Sequence, residues 1–209
     1  MKPMRKNRYS YDSIASLLSP VIRDVPESVG QKPAAVAMIL NETRNGLDIF
    51  FIERARHPGD PWSGNIGFPG GRKDPSDSDL KQTAERETIE EVGIDLVHAS
   101  YLGRLPDVVG KNLPVRVSCF VYGLHGPVTP VISDEVNDTF WFGLSELSSP
   151  DRHVISAVRF EDRVIEAPAI NLGLSGKPVL WGITYRLVSQ FREVVDTGCT
   201  AVIPYELSL

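Results

Sequence analysis

Apolar residues near the start of the chain form two kinds of pattern, a helical spacing and apolar runs. Residues 10–23 have apolar side chains at helical spacing, which predicts a short N-terminal helix. Residues 34–40 form an apolar run, and a turn at 41–46 separates it from a second, largely apolar run at 47–54. This arrangement predicts a β-hairpin.

A second helical pattern covers residues 80–91 and has recognisable ends. Ser78 or Asp77 is the expected N-cap, because a short polar side chain there can accept a hydrogen bond from a free backbone N–H. Gly93 is the expected glycine just past the last turn. Between the hairpin and this helix lies a Gly- and Pro-rich stretch, residues 55–78, and loops of this length inside compact domains are usually functional.

Further strand-like runs follow, and an amphipathic pattern over 181–195 predicts a last helix. The predicted strands are residues 100–104, 115–124, 138–142, 153–160 and 163–170. Strands around one central helix, with another helix at the end, predict an α+β fold or an α/β/α sandwich. We expect an N-terminal extension over 1–32, which includes the short helix, and one main domain over 33–209.

Composition narrows the classes of function. The 209 residues carry a formal net charge of −5, and the pI is about 5.4, which argues against a nucleic-acid binder. No apolar run approaches a membrane span, so we expect no membrane partner. Cys119 and Cys199 lie far apart, which is typical of a reducing compartment and predicts a cytoplasmic protein.

The candidate chemistry is concentrated in an acidic triplet on the central helix. Glu87, Glu90 and Glu91 stand at positions that share one helical face. Gathered carboxylates suit Mg²⁺ or Mn²⁺, although an acidic solvated face is the alternative. The preceding Phe68-Pro69-Gly70-Gly71 segment favours the metal site, because glycines let backbone N–H groups approach phosphate closely.

These residues resemble the signature of the Nudix hydrolases. That signature runs Gly, five residues, Glu, seven residues, then Arg-Glu-x-x-Glu-Glu-x-Gly, and its second half matches Arg86 to Gly93 in full. The first half is one residue longer here, because Gly71 precedes Arg86 by fifteen positions. The first Glu of the signature is absent, and Asp77 or Ser78 stands near its place. The resemblance implies a Nudix fold with a mixed β-sheet, a central catalytic helix and a C-terminal helix.

A wider resemblance, over about residues 33–195, is to the coenzyme A pyrophosphatase branch of that family. It is carried by 51–55, 61–64, 68–71, 74–77 and 181–185. The branch often has an arginine before its Phe-Pro-Gly-Gly element, where Gly59 or Asp60 stands here. The resemblance implies hydrolysis of coenzyme A or an acyl-CoA, and the departure at Gly59 or Asp60 leaves ADP-ribose or a nucleotide sugar as the alternative. A non-catalytic module that senses nucleotides is a further alternative, although the intact acidic triplet argues against it.

The resemblance also implies roles for individual residues in metal-assisted hydrolysis. Glu87 and Glu91 are the expected principal ligands of Mg²⁺ or Mn²⁺, with Glu90 as a ligand or base and Gly71 also at the metal. Arg86 is expected to orient the carboxylates through charge-assisted hydrogen bonds. Glu135, from a downstream loop, is the candidate additional acid, and a solvated loop acid is the alternative reading.

Candidates for substrate binding flank the Gly-rich loop. They are Arg54, Arg56, Trp62, Gly70 and Arg72. The arginines could pair with phosphates, and surface salt bridges are the alternative for each of them. The expected partner is a small nucleoside diphosphate derivative, and a homodimer is left open.

Overall fold

The protein is described here from a computed structural model that defines residues 9–19, 30–57, 62–110, 113–160 and 163–198. The four α-helices of these residues are α1 (Tyr11–Leu18), α2 (Leu80–Val92), α3 (Leu144–Leu147) and α4 (Gly182–Thr197). The strands are β1 (Lys32–Thr43), β2 (Gly46–Arg54), β3 (Ile66–Gly67), β4 (Gly70–Arg72), β5 (Ser100–Arg104), β6 (Val108–Val109), β7 (Val115–Leu124), β8 (Val136–Gly143), β9 (His153–Phe160), β10 (Arg163–Ile170) and β11 (Leu180–Trp181). Two short 3₁₀ helices cover Leu96–His98 and Pro150–Arg152.

The main sheet is mixed, as predicted. Its central path runs β3-β2-β1-β7-β5, and β1 and β7 are parallel whereas β1 and β2 form the expected antiparallel hairpin. Three further strands extend it, with β4 on β1, β6 on β7 and β8 on β2. The strands β11, β10 and β9 form a separate antiparallel sheet.

Helices cover both faces of the main sheet, which confirms the sandwich. Residues of β1 alternate between the faces: Ala35, Ala37 and Ile39 join a buried cluster with α2, and Met38 and Leu40 join the cluster that contains α1 and α4. This alternation is the period-2 geometry of a strand covered on both sides. The continuous apolar run in β1 reflects the same burial.

The predicted N-terminal helix is present as α1, and it packs against the main sheet. The Tyr11 hydroxyl lies 3.1 Å from the carbonyl oxygen of Leu40 and 2.9 Å from that of Leu124. Gly123 makes room for this ring, because a Cβ there would lie 2.7 Å from ring atoms of Tyr11. The helix ends earlier than predicted, and residues 20–23 lie outside the described part of the chain. The division into 1–32 and 33–209 stays a prediction.

The other predicted elements lie close to their expected positions, and α4 begins and ends within two residues of the prediction. The elements that the pattern did not predict are the strands of two or three residues and the single-turn α3, which are too short for a periodicity to show. Within the described segments, no helix combines the length and the apolar character needed to cross a bilayer.

Candidate active site

Helix α2 packs against β1 and β4 on one face of the main sheet, and it carries the acidic triplet. Its C-terminal glycine was predicted correctly: Gly93 has a left-handed φ of 66°, and its N–H donates to Ile89 O at 2.9 Å. The predicted N-cap was wrong. Asp79 caps the helix by accepting from the Gln82 N–H at 2.8 Å, since the carboxylate of Asp77 is held elsewhere.

Glu91 lies at the centre of the site and is only 2% exposed. Its Oε1 accepts from Arg54 Nη1 at 2.9 Å, and its Oε2 accepts from the Gly70 N–H at 2.9 Å. Desolvation raises the pKa of this carboxyl to about 7, although Arg54 and Gly70 pull the pKa in the opposite direction. A buried carboxylate with so few compensating charges is a group that a cation would stabilise.

Glu87 lies one turn earlier, against strand β4. A Cβ at residue 71 would overlap the Glu87 carboxylate, so only glycine allows this approach. Burial raises the pKa of Glu87, and the nearby Arg86 opposes the rise. Gly70, the other glycine of β4, has a φ of 154°, and a Cβ there would overlap the backbone of Val36. Gly71 therefore lets α2 lie close to β4, and Gly70 lets β4 pair closely with β1.

Arg86 joins the site to the loop before the helix. It donates to both oxygens of Asp77, from Nε at 2.9 Å and from Nη2 at 3.1 Å. It also lies 2.9 Å from Glu87 Oε1 and 2.7 Å from Glu90 Oε2, so it contacts two members of the triplet. Hydrogen bonds from Arg86 hold the pKa of Asp77 well below its usual range.

The role of Asp77 is that of a partner for Arg86, which the sequence pattern did not reveal. Asp77 follows Gly71 by six positions, where the Nudix signature has its Glu, so the additional residue lies between Asp77 and Arg86. Thr83 also donates to Asp77, at 2.9 Å. The spacing from Gly71 was the signal that could have assigned this residue.

Glu135 lies in the loop before β8, close enough to Glu87 that its charge contributes to raising the pKa of Glu87. Its side chain is exposed. Backbone hydrogen bonds connect this loop to the site: the Ala55 N–H donates to Glu135 O at 2.8 Å, and the Ser133 N–H donates to Glu91 O at 3.0 Å. The structure therefore brings Glu135 to the edge of the acidic cluster.

The residues predicted to bind substrate are spread more widely. Arg54 reaches the cluster through Glu91, and Gly70 lines it. Arg56 is exposed beside Gly64, and Trp62 is half-buried against the core. Arg72 is exposed, with its carbonyl 3.4 Å from Arg86 Nη2. Gly59 and Asp60 lie outside the described residues, and substrate binding by the five candidates stays a prediction.

The donor set fits a hard divalent cation. Glu87 and Glu91 are desolvated carboxylates with raised pKa values, and each carboxylate oxygen has a second lone pair beyond the one used in its hydrogen bond. Within the described ranges, no three Asp, Glu, His or Cys side chains already converge as a metal cage. Arg86 contacts one oxygen each of Glu87 and Glu90.

Comparison with known proteins decides the family. A family model described as the NUDIX domain matches residues 30–164, which is more than half of the chain. The chain belongs to the Nudix family. The match includes α2, both β4 glycines and Glu135, so the Nudix resemblance of the acidic helix is confirmed.

Individual Nudix relatives agree with this assignment. The chain is 33% identical over 142 residues to the peroxisomal coenzyme A diphosphatase ndx-8 of Caenorhabditis elegans, covering 63% of this chain and 58% of that protein. It is 36% identical over 111 residues to an uncharacterised protein of Schizosaccharomyces pombe, covering 49% and 34%. The chain thus spans about one third to three fifths of the length of these relatives.

A solved structure supports the Nudix fold. The crystal structure of a MutT/nudix family protein from Enterococcus faecalis superimposes with a TM-score of 0.53 at 19% identity, covering 83% of this chain and 66% of that one. At this identity the likeness concerns the fold, which agrees with the mixed sheet and flanking helices.

The pairing of Asp77 with Arg86 predicts a specific pH dependence of stability. The folded-state pKa of Asp77 lies below the ordinary value of 3.8, so its stabilisation is complete above that value and is lost as the pH falls towards the folded-state pKa. Asp77→Asn should lower the free energy of unfolding at pH 6 by about 1.5–3 kcal/mol. At pH 3 the difference between the two proteins should be smaller. Urea unfolding at both pH values measures this.

Asp151→Asn is the matched control, because Asp151 is an exposed aspartate in the 3₁₀ helix Pro150–Arg152. It should unfold like the wild type at pH 6. A difference between wild type and Asp77→Asn that stays constant or grows on acidification would contradict the assigned pairing.

Proposed function

We propose that this Nudix protein is a divalent-cation-dependent pyrophosphatase that adds water across the diphosphate linkage of a nucleoside diphosphate derivative. The observation that carries the proposal is the buried Glu91, held between Arg54 and the Gly70 N–H, with Glu87 packed one turn away over Gly71. A purely structural helix gains nothing by burying carboxylates beside each other, because like charges on one face destabilise it. Binding of a cation and a phosphate gives this arrangement a purpose.

Glu87 and Glu91 would hold the cation, and Glu90 would complete the site after release from Arg86. Mg²⁺ or Mn²⁺ bound there would neutralise the diphosphate and lower the pKa of an attacking water. Gly71 would let Glu87 lie against the strand, since a side chain there would overlap its carboxylate, and Gly70 would hold Glu91 through its N–H. These assignments are supported by the bond from the Gly70 N–H to Glu91 and by the close approach of the Glu87 carboxylate to Gly71.

Arg86 and Glu135 have supporting roles in the proposed reaction. Arg86 orients Glu87 and Glu90 while its own position is fixed by the two bonds to Asp77. Glu135 would accept a proton from the attacking water, because its carboxylate is exposed and lies near Glu87. Arg54, Arg56 and Arg72 would contact the substrate phosphates.

Coenzyme A or an acyl-CoA is the proposed substrate, with 4′-phosphopantetheine or its acyl form and an adenosine bisphosphate as the products. The support is the 33% identity to a coenzyme A diphosphatase and the branch-like segments on both sides of the Nudix signature. ADP-ribose or a nucleotide sugar is the second candidate, favoured by the lack of an arginine at Gly59 and Asp60. The cytoplasmic location, the homodimer and the absence of a nucleic-acid partner stay predictions.

Glu91→Gln tests the metal-site assignment. Glutamine keeps the shape of the side chain and an acceptor oxygen but removes the charge, so cation binding should weaken strongly. We expect diphosphate hydrolysis with Mg²⁺ or Mn²⁺ to fall by about 10²-fold or more. Glu85→Gln is the control on the same helix, since Glu85 bonds Lys81 and Tyr122 instead, and it should retain activity. Activity of Glu91→Gln close to that of the wild type would refute the assignment.

A substrate panel tests the choice of nucleotide derivative. Coenzyme A, an acyl-CoA, ADP-ribose and a nucleotide sugar would each be assayed with Mg²⁺ and with Mn²⁺, and the products separated by chromatography. We expect the highest kcat/KM for coenzyme A or the acyl-CoA. Turnover of ADP-ribose without turnover of coenzyme A would favour the second candidate. No turnover of any diphosphate would favour the nucleotide-sensing module.

A further inference from the structure

A partly buried ion-pair cluster lies on the opposite face of the main sheet from the acidic helix. Lys177, from the segment between β10 and β11, places its Nζ 2.6 Å from Glu53 Oε2 and 2.5 Å from Asp138 Oδ2. The Asn137 side chain donates to the other oxygen of Glu53 at 3.0 Å. The Lys177 ammonium group also lies 5.6 Å from the centre of the Phe140 ring. Lys177 is outside residues 30–164, the part of the chain that the family model matches.

Lys177 neutralises a repulsion that the strand pairing creates. Glu53 of β2 and Asp138 of β8 are directly opposite each other in the ladder. Like charges at such a pair destabilise a sheet, and Glu53 has a side chain that is only 12% exposed. Lys177, itself 15% exposed, contacts both carboxylates at once. Loss of this single ammonium group would leave two facing negative charges.

The same residues surround a β-bulge. Glu53 pairs with Asp138, but the next residue, Arg54, pairs with Val136, so Asn137 is an additional residue on β8. A bulge shifts the alternation of all residues that precede it on its strand. Phe140 packs on the α4 side of the sheet, whereas Val136 is buried on the α2 side, although strict alternation would place both on one side.

The bulge therefore determines where the loop before β8, which carries Glu135, lies relative to the acidic cluster. Glu135 directly precedes Val136, and its carbonyl is bonded to the Ala55 N–H just beyond β2. Arg54, which pairs with Val136 across the bulge, holds Glu91. A bulge that relaxed by one residue would move Glu135 away from the acidic cluster and would change the support of Arg54.

We propose that Lys177 is a positioning residue for catalysis: its contacts with Glu53 and Asp138 hold the bulge at Asn137 and so keep Glu135 beside Glu87. The proposal rests on the proposed hydrolase function for its kinetic consequence. Its structural part, the dependence of residues 133–139 on Lys177, is independent of activity.

The test compares Lys177→Met with the matched variant Arg152→Met in the 209-residue chain. Arg152 resembles Lys177 in its contacts, because it makes an ion pair with Glu146 at 2.7 Å and lies over the ring of Phe142. It also donates to Leu172 O at 2.7 Å, in the segment between β10 and β11 that carries Lys177. It does not contact Glu53. Hydrogen–deuterium exchange over residues 133–139 should accelerate in Lys177→Met and stay at the wild-type rate in Arg152→Met.

Steady-state kinetics with the best substrate provide the second readout. Lys177→Met should lower kcat about tenfold with little change in KM, because misplacement of a base weakens the chemical step more than binding. In a Glu135→Gln background, Lys177→Met should cause little further loss, since the residue that it positions is already disabled. Arg152→Met should leave kcat unchanged in both backgrounds.

Several results would overturn the proposal. Unchanged exchange over residues 133–139 in Lys177→Met would show that the bulge does not depend on Lys177. Faster exchange with an unchanged kcat in Lys177→Met would show a role that is only structural. The same conclusion would follow if Lys177→Met lowered kcat by the same factor in the Glu135→Gln background as in the wild type. If the wild type hydrolyses no diphosphate, the proposed function fails while the exchange comparison still decides the structural part. Should Lys177→Met not fold, Lys177→Gln removes the positive charge but keeps a hydrogen-bond donor, and it should accelerate exchange in the same residues.

Discussion

The burial of Glu91 between Arg54 and the backbone of Gly70 is the interaction on which the site depends. A carboxylate taken out of water loses its hydration, and its charged form persists only if other groups replace that hydration. Here one guanidinium group and one backbone N–H do so, and the pKa still rises to about 7. This incomplete compensation explains three features of the residues around the acidic helix. Gly71 of β4 leaves room for Glu87, β2 ends in Arg54, and Arg86 contacts both Glu87 and Glu90.

The two arginines contact different carboxylates because they lie on different elements. Arg54 comes from the sheet and meets the most buried carboxylate, whereas Arg86 comes from the helix itself and meets the more exposed ones. Asp77 keeps Arg86 in place from the loop before the helix. Arg86 and Asp77 thus hold the more exposed acids of the helix in fixed positions.

Local patterns in the sequence predicted the parts of the structure that depend on local interactions. The hairpin β1-β2, helix α2 with Gly93, and helix α4 each have a periodicity or an end signal that acts within a few residues. The N-cap was misassigned because three polar residues, Asp77, Ser78 and Asp79, compete for it, and the choice depends on Arg86 reaching back nine residues to Asp77. Short strands such as β3 and β4 are defined by their pairing partners and carry no pattern of their own.

Long-range contacts account for what the sequence could not reveal about the site. Arg54 and Glu91 are 37 residues apart, and Glu53 and Lys177 are 124 residues apart. The bulge at Asn137 changes which face of the sheet Val136 joins, and no single-strand pattern signals such a shift. The acidic triplet could be predicted from the sequence because one helix carries all of it. The groups that contact it, directly or through Arg86, come from β2, β4, the loop before α2 and the loop before β8.

The most direct test is whether the acidic face of α2 binds a divalent cation. Crystals soaked in Mn²⁺ would locate the ion by its anomalous scattering. We expect an anomalous peak within coordination distance of the carboxylates of Glu87 and Glu91, with Glu90 turned away from Arg86. Strong Mn²⁺ peaks elsewhere on the protein, with none at these two carboxylates under saturating Mn²⁺, would contradict the proposed cation site.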